Sequence, residues 1–180
     1  MIRKTTYAFI LVLVLVASIL PCSSLAANSE QVYIVSLKDE ITPAMSAYLA
    51  DQIELANLSG ARGILIEIST LGGLVDSAKD MKDAIIGSEV PVVVFVGTSA
   101  TSAGALITIA ADTIVMSPGS HMGAAEPIPY SEKAVAYVSG EFRATAEVRG
   151  RDPLVAAGMA DKNLDVPGFP RGKLVNITAE

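Results

Sequence analysis

The chain has 180 residues, 51% of them apolar and 18% charged, which excludes a disordered chain and leaves room for one folded domain with a sizeable core. A net charge of -6 without clustered Lys and Arg excludes a nucleic-acid partner, because phosphate binding needs such clusters. The lone cysteine, Cys22, rules out an internal disulfide, and neither Cys/His spacing nor a carboxylate cluster points to a metal or a cofactor.

Arg3 and Lys4 precede an apolar run from Tyr7 to Leu20, and Pro21 and the small residues from Ser23 to Ala27 follow it. This is the tripartite pattern of a secretory signal, so residues 1–26 read as a signal peptide and 27–180 as the exported, extracytoplasmic part. Lipidation at Cys22 is the weaker reading, since bulky Pro21 stands where lipoprotein processing requires a small residue. A run of roughly 14 apolar residues falls short of the ~20 that span a bilayer, and a retained anchor is the second reading.

Val32 to Leu37 reads as a strand, and Thr42-Pro43 as the N-cap and first position of a helix to about Leu58. Met45, Tyr48, Leu49, Ile53 and Ala56 recur at helical spacing and are expected on its core face, and Gly60 stops it. Ile64 to Ile68 is the next strand; it runs into Ser69-Thr70-Leu71-Gly72-Gly73, after which Val75 to Ile86 is again helical. Strand, glycine pair and helix make a parallel βαβ unit, and ligands sit at the carboxyl ends of such strands. Gly72 and Gly73 either bring bare backbone N–H groups up to a substrate or simply permit a tight turn.

Val92 to Val96, behind Pro91, suits a strand covered on both faces. Small residues from Gly97 to Thr101 make a turn, and an apolar helix starts near Ser102. Two roles are open to Ser102. It caps the helix, or its hydroxyl attacks a carbonyl whose developing charge is held by the unpartnered N–H groups of the first turn. Asp112 to Met116 is a short strand, Ser117 to Ser120 a turn, and His121 to Tyr130 a loop. Ser131 caps a helix to about Val148 with Val135, Val138, Phe142 and Ala146 inward; Lys133, in its first turn, reads by itself as a solvated lysine. A short helix from Pro153 to Met159 follows, and then a Pro/Gly-rich segment around Val166 to Pro170.

Thr70-Leu71-Gly72-Gly73, Ala100-Thr101-Ser102-Ala103-Gly104 and the stretch from Met116 to Pro127, in this order and spacing, resemble the ClpP/crotonase superfamily. Within it the chain most resembles the NfeD (nodulation formation efficiency D) membrane-associated serine proteases. The resemblance implies an α/β, ClpP/crotonase-like fold with a central, mostly parallel sheet flanked by helices. It implies Ser102 as nucleophile, Gly73 and Ala103 as oxyanion donors, and Gly72 in the substrate-binding backbone. Ala125 stands where cytosolic ClpP has its catalytic histidine, and His121 lies four residues too early, so the resemblance implies no Ser-His-Asp triad. NfeD proteases resemble Ser-Lys dyad enzymes. Counting back from Gly150-Arg151-Asp152, which matches the family's marker, puts the dyad lysine on Lys133; a lysine amine removed from water gives up its proton readily and can then take the serine's.

The function so implied is a serine endopeptidase cutting apolar segments of membrane-associated, stomatin-like proteins, exported, membrane-associated and homo-oligomeric, with no cofactor. The alternative is a non-catalytic scaffold that holds a membrane partner in the same groove. A crotonase-like acyl-CoA enzyme is a further rival, disfavoured by export and by the lack of a basic patch. Leu71 replaces a proline usual in the family, and Ser69 replaces a frequent aspartate. Family members continue beyond the position of Glu180, so the chain reads as truncated at its C-terminus.

Overall fold

The computed structural model describes residues 31–179, and the expected signal peptide lies outside them. Strands β1 (Val32–Lys38), β2 (Gly63–Thr70) and β3 (Val92–Thr101) run parallel side by side. Two short parallel strands then share β3, β4 (Thr113–Met116) beside Val93 to Val96 and β5 (His121–Gly123) beside Ser99 to Thr101. The antiparallel β6 (Asn176–Thr178) closes the sheet against β5. The helices are α1 (Pro43–Leu58), α2 (Val75–Ile86), α3 (Ala103–Ile109), α4 (Glu132–Val148) and α5 (Pro153–Gly158). The expected mostly parallel α/β sheet with flanking helices is the observed architecture.

Local chemistry explains where the helices start. The Thr42 hydroxyl accepts the Met45 N–H at 3.3 Å ahead of Pro43, and the Ser131 hydroxyl accepts the Ala134 N–H at 3.1 Å. In α1 the buried stripe is Ser46, Leu49, Ile53 and Ala56, whereas Tyr48 is exposed rather than on the core face. At about 100° per residue, Tyr48 falls off the stripe that Ser46 and Leu49 define.

Three other expectations are corrected. The sheet is fully buried on one face only: Val35, Leu37, Ile66, Val94 and Val96 are inaccessible, while on the other face Leu65, Val93 and Phe95 of the central strands are half-buried, and Ile34 of the edge strand and Val115 of β4 are exposed. An unbroken β-branched run therefore did not mean two covered faces. The small residues after Val96 continue β3 to Thr101 instead of turning, because β5 supplies that half of the strand with a partner. The expected loop from His121 begins as that strand, and β6, which the sequence did not announce, pairs with it.

The ends of α2 and α3 that face away from Ser102 are tied to the end of α4. Arg149 donates from Nη2 to the Ile85 carbonyl at 3.1 Å, from Nε to the Ala110 carbonyl at 2.5 Å, and from Nη1 to Asp112 Oδ1 at 2.5 Å. Asp112 Oδ2 accepts the Val92 N–H at 2.8 Å, and Arg151 Nη1 reaches the Ile109 carbonyl at 3.2 Å. Carbonyls that a helix end leaves unpaired are thus satisfied by two guanidinium groups.

Candidate active site

Where β3 turns into α3, Ser102 sits at φ 55°, ψ -118°, a conformation costly for a residue with a Cβ, and its N–H donates to the Gly123 carbonyl at 2.9 Å. Its side chain makes no capping bond to α3, so the N-cap role alone does not account for it. The hydroxyl opens into a cavity of about 190 Å³ whose walls include Ala78, Leu106, Val138 and Phe142. That is below the roughly 300 Å³ at which small-molecule sites begin, and it suits one apolar side chain. The cavity's outer wall is the segment from Ala125 to Ile128.

Gly73 and Ala103 line the same cavity as Ser102. Among the described residues neither of their N–H groups donates a hydrogen bond. For Ala103 this follows from its place at the first position of α3; for Gly73, from a single parallel bridge in which Ile41 bonds the Gly72 carbonyl and the Leu74 N–H, each at 2.9 Å, leaving the amide between them out. The glycine pair is required by space. A Cβ on Gly73 would stand 2.3 Å from the Ile41 carbonyl oxygen, and one on Gly72, at φ 118°, would stand 2.9 Å from the Ser102 Cβ.

Lys133 occupies the first turn of α4, directly after the wall segment; it is exposed, makes no ion pair among the described residues, and does not line the cavity. His121 lies in β5 and does not line it either, and Ala125 is a wall residue without a functional group. The structure thus brings together Ser102, Gly73, Gly72 and Ala103 and leaves Lys133 at the periphery.

Sequence reasoning missed the cavity's floor and its latch. Leu106, Val138 and Phe142 carry ordinary helix-core periodicity, which does not distinguish a cavity wall from a core contact. Glu126, on the wall, pairs with Lys162 at 2.8 Å, and the Lys162 ammonium lies 5.5 Å from the Tyr130 ring centroid. The hydrogen bond to Glu126 raises the Lys162 pKa above its ordinary value. Residues 126 and 162 are too far apart in the chain for a local pattern to announce the pair. No group of His, Cys, Asp and Glu among the described residues is arranged to hold a metal ion.

The family described as NfeD1b, N-terminal domain, matches residues 31–180. The membrane protein NfeD1b of Bacillus subtilis is 35% identical over 161 residues, covering 86% of this chain and 37% of that protein. The membrane-bound protease PH1510 of Pyrococcus horikoshii is 32% identical over 152 residues, covering 75% and 34%. The chain spans about a third of the length of these relatives. Among solved structures, a serine-to-alanine mutant of the 1510-N membrane-bound stomatin-specific protease superposes with a TM-score of 0.70 at 28% identity, over 82% of this chain and 72% of that one. A lysine-to-alanine mutant of the same protease, in complex with a substrate peptide, gives 0.69 at 28% identity, over 82% and 68%. ClpP1 from Listeria monocytogenes shares the fold, with a TM-score of 0.60 at 21% identity over 72% and 79%.

Proposed function

The chain belongs to the NfeD1b N-terminal domain family, and on that premise we propose that it is the catalytic part of a membrane-associated serine endopeptidase working through a Ser102–Lys133 dyad. The observation that carries the reading is a serine at a strained strand-to-helix elbow, with two unpartnered backbone N–H groups in the same apolar cavity. A relative's serine-to-alanine mutant, and its lysine-to-alanine mutant with substrate peptide, support assigning the chemistry to one serine and one lysine.

In this mechanism a substrate segment lies between Gly72-Gly73 and the Ala125–Ile128 wall, with an apolar side chain in the cavity. Ser102 Oγ attacks the scissile carbonyl while the Lys133 amine takes its proton. The oxygen that becomes negative is held by the Gly73 and Ala103 N–H groups, which need no rearrangement because nothing else occupies them. Lys133 passes the proton to the leaving amine, and water then opens the acyl-enzyme by the same route. The apolar lining, the exposed Leu71 and Ile128 beside it, and the stomatin-specific relative support an apolar segment of a stomatin-like membrane protein as the substrate class. Export of the catalytic part belongs to the same proposal. No helix among the described residues is long and apolar enough to cross a membrane, so the reading places membrane attachment outside them.

Lys133, peripheral and without an ion pair among the described residues, favours one rival, a scaffold that binds the same segment without cutting it. Labelling by a fluorophosphonate and cleavage of an apolar peptide separate the two. Labelling is expected in the parent chain and absent in Ser102→Ala, and cleavage is expected to fall by orders of magnitude in both Lys133→Ala and Lys133→Arg, since an arginine stays protonated. Near-normal turnover in a folded Lys133→Arg chain would sink the dyad; a parent chain that binds the peptide but neither labels nor cuts would establish the scaffold.

A further inference from the structure

Thr70, the last residue of β2, is 2% exposed and carries no role in the mechanism above. Its two ends touch Gly72 and Gly104, the residues next to the two oxyanion donors. The hydroxyl accepts the Gly72 N–H at 3.0 Å and donates to the Asp39 carbonyl, with the Gly72 carbonyl 3.2 Å away. Those bonds hold the Leu71–Gly72 peptide, while the Ile41 N–H holds the next one by its carbonyl, so Gly72 is gripped on both sides and the direction of the free Gly73 N–H is set between them. The methyl lies against α3: a Cβ on Gly104 would stand 2.4 Å from Thr70 Cγ2. That contact sets how close the first turn of α3, with the Ala103 N–H, comes to the end of β2.

We propose that Thr70 is the positioning residue of the oxyanion site, its hydroxyl aiming the Gly73 N–H and its methyl setting the distance to the Ala103 N–H. The inference rests on the serine endopeptidase reading and deepens it. Both donors must converge on one oxygen, at hydrogen-bond distance from where the charge develops, and a misdirected donor loses most of its effect.

Two pairs of variants test it on the chain with its Ser102 intact, reading kcat and KM for an apolar peptide, the rate of fluorophosphonate labelling, and the melting temperature. Thr70→Val keeps the methyl contact and deletes the hydroxyl. Its kcat and labelling rate are expected to fall about 10- to 100-fold, a share of what losing one oxyanion donor costs, with KM within about threefold. Thr70→Ser, which restores the hydroxyl but not the methyl, is expected to recover part of that loss. In the second pair, Gly104→Ala drives a Cβ into Thr70 Cγ2 and is expected to depress kcat, and adding Thr70→Ser, which deletes that methyl, is expected to relieve it. This pair decides the matter even if Thr70→Val does not fold. A folded Thr70→Val with parental kcat, or a Gly104→Ala defect untouched by Thr70→Ser, overturns the inference and leaves the protease reading standing. A parent chain that is not labelled at all overturns both.

Discussion

The two ends of helix α3 are built on opposite terms. At its C-terminal end, the carbonyls of Ile109 and Ala110 accept from Arg151 and Arg149, and the adjoining Asp112 accepts from Arg149 and the Val92 N–H. At its N-terminal end, about 10 Å away for seven residues, the Ala103 N–H is unpartnered, the Ser102 side chain caps nothing, and Ser102 holds a strained backbone. One end binds every polar group it can reach; the other withholds partners so that a substrate's oxygen can supply them. The saturated end lets the chain keep the other unsatisfied, since a strained and partnerless site persists only where its surroundings over-determine it.

The largest expected effect comes from relaxing the strained end. Ser102→Gly accepts the positive φ without a Cβ, so it should abolish cleavage and labelling while raising stability by up to about 1 kcal/mol in chemical denaturation. A Ser102→Gly chain less stable than Ser102→Ala would show that the elbow is not strained, and half the contrast would go. Next comes the saturated end. Arg149→Met takes the guanidinium donor from Asp112 Oδ1 and from the Ile85 and Ala110 carbonyls, and it should cost about 2 kcal/mol in an equilibrium melt. A loss below about 1 kcal/mol would mean that water replaces the clamp at no expense.

The smallest effect lies between the two ends, where α2 meets α4. Lys82 bonds Asp83 at 2.8 Å and Glu141 at 3.0 Å. Burial by itself would raise the Asp83 pKa, but the hydrogen bonds from Lys82 and Lys79 outweigh it and hold the carboxyl below its ordinary value. Burial would likewise lower the Lys82 pKa, and its bonds to Asp83 and Glu141 lift it above the ordinary range instead. A depressed carboxyl stabilises the fold above its unfolded pKa of about 3.9, and that contribution disappears as pH falls through the folded value; a raised lysine stabilises below about 10.4 and is lost as pH rises through its folded value. Asp83 is half exposed, so screening keeps the pair small. Asp83→Asn should therefore cost under about 1 kcal/mol between pH 5 and 10, and the difference from the parent chain should close as pH falls through the depressed folded value of the carboxyl. A difference that persists in acid would assign the loss to packing.

What the sequence determined by itself was whatever local chemistry carries. Thr42-Pro43 and Ser131 start helices because a hydroxyl and a proline ring act on their own first turn, and the apolar runs Val32 to Leu37 and Ile64 to Ile68 fall within two residues of the observed ends of β1 and β2. The resemblance that Thr70-Leu71-Gly72-Gly73 and Ala100-Thr101-Ser102-Ala103-Gly104 carry nominated the residues that share one cavity, Gly73, Ser102 and Ala103, where the residues by themselves left the roles of the glycine pair and of Ser102 open. Tertiary structure decided the rest. Hydrophobicity registers burial without saying how much of it each face receives, so the open face of the sheet was invisible. β5 and β6 are three residues each, too short for a period, and form only because β3 and then β5 offer edges to pair with. Above all, no pattern along the chain shows which N–H groups stay unpartnered. The free Gly73 amide depends on Ile41, thirty-two positions earlier, and the grip on the peptide just before it depends on a threonine whose methyl rests on a helix thirty-four positions later.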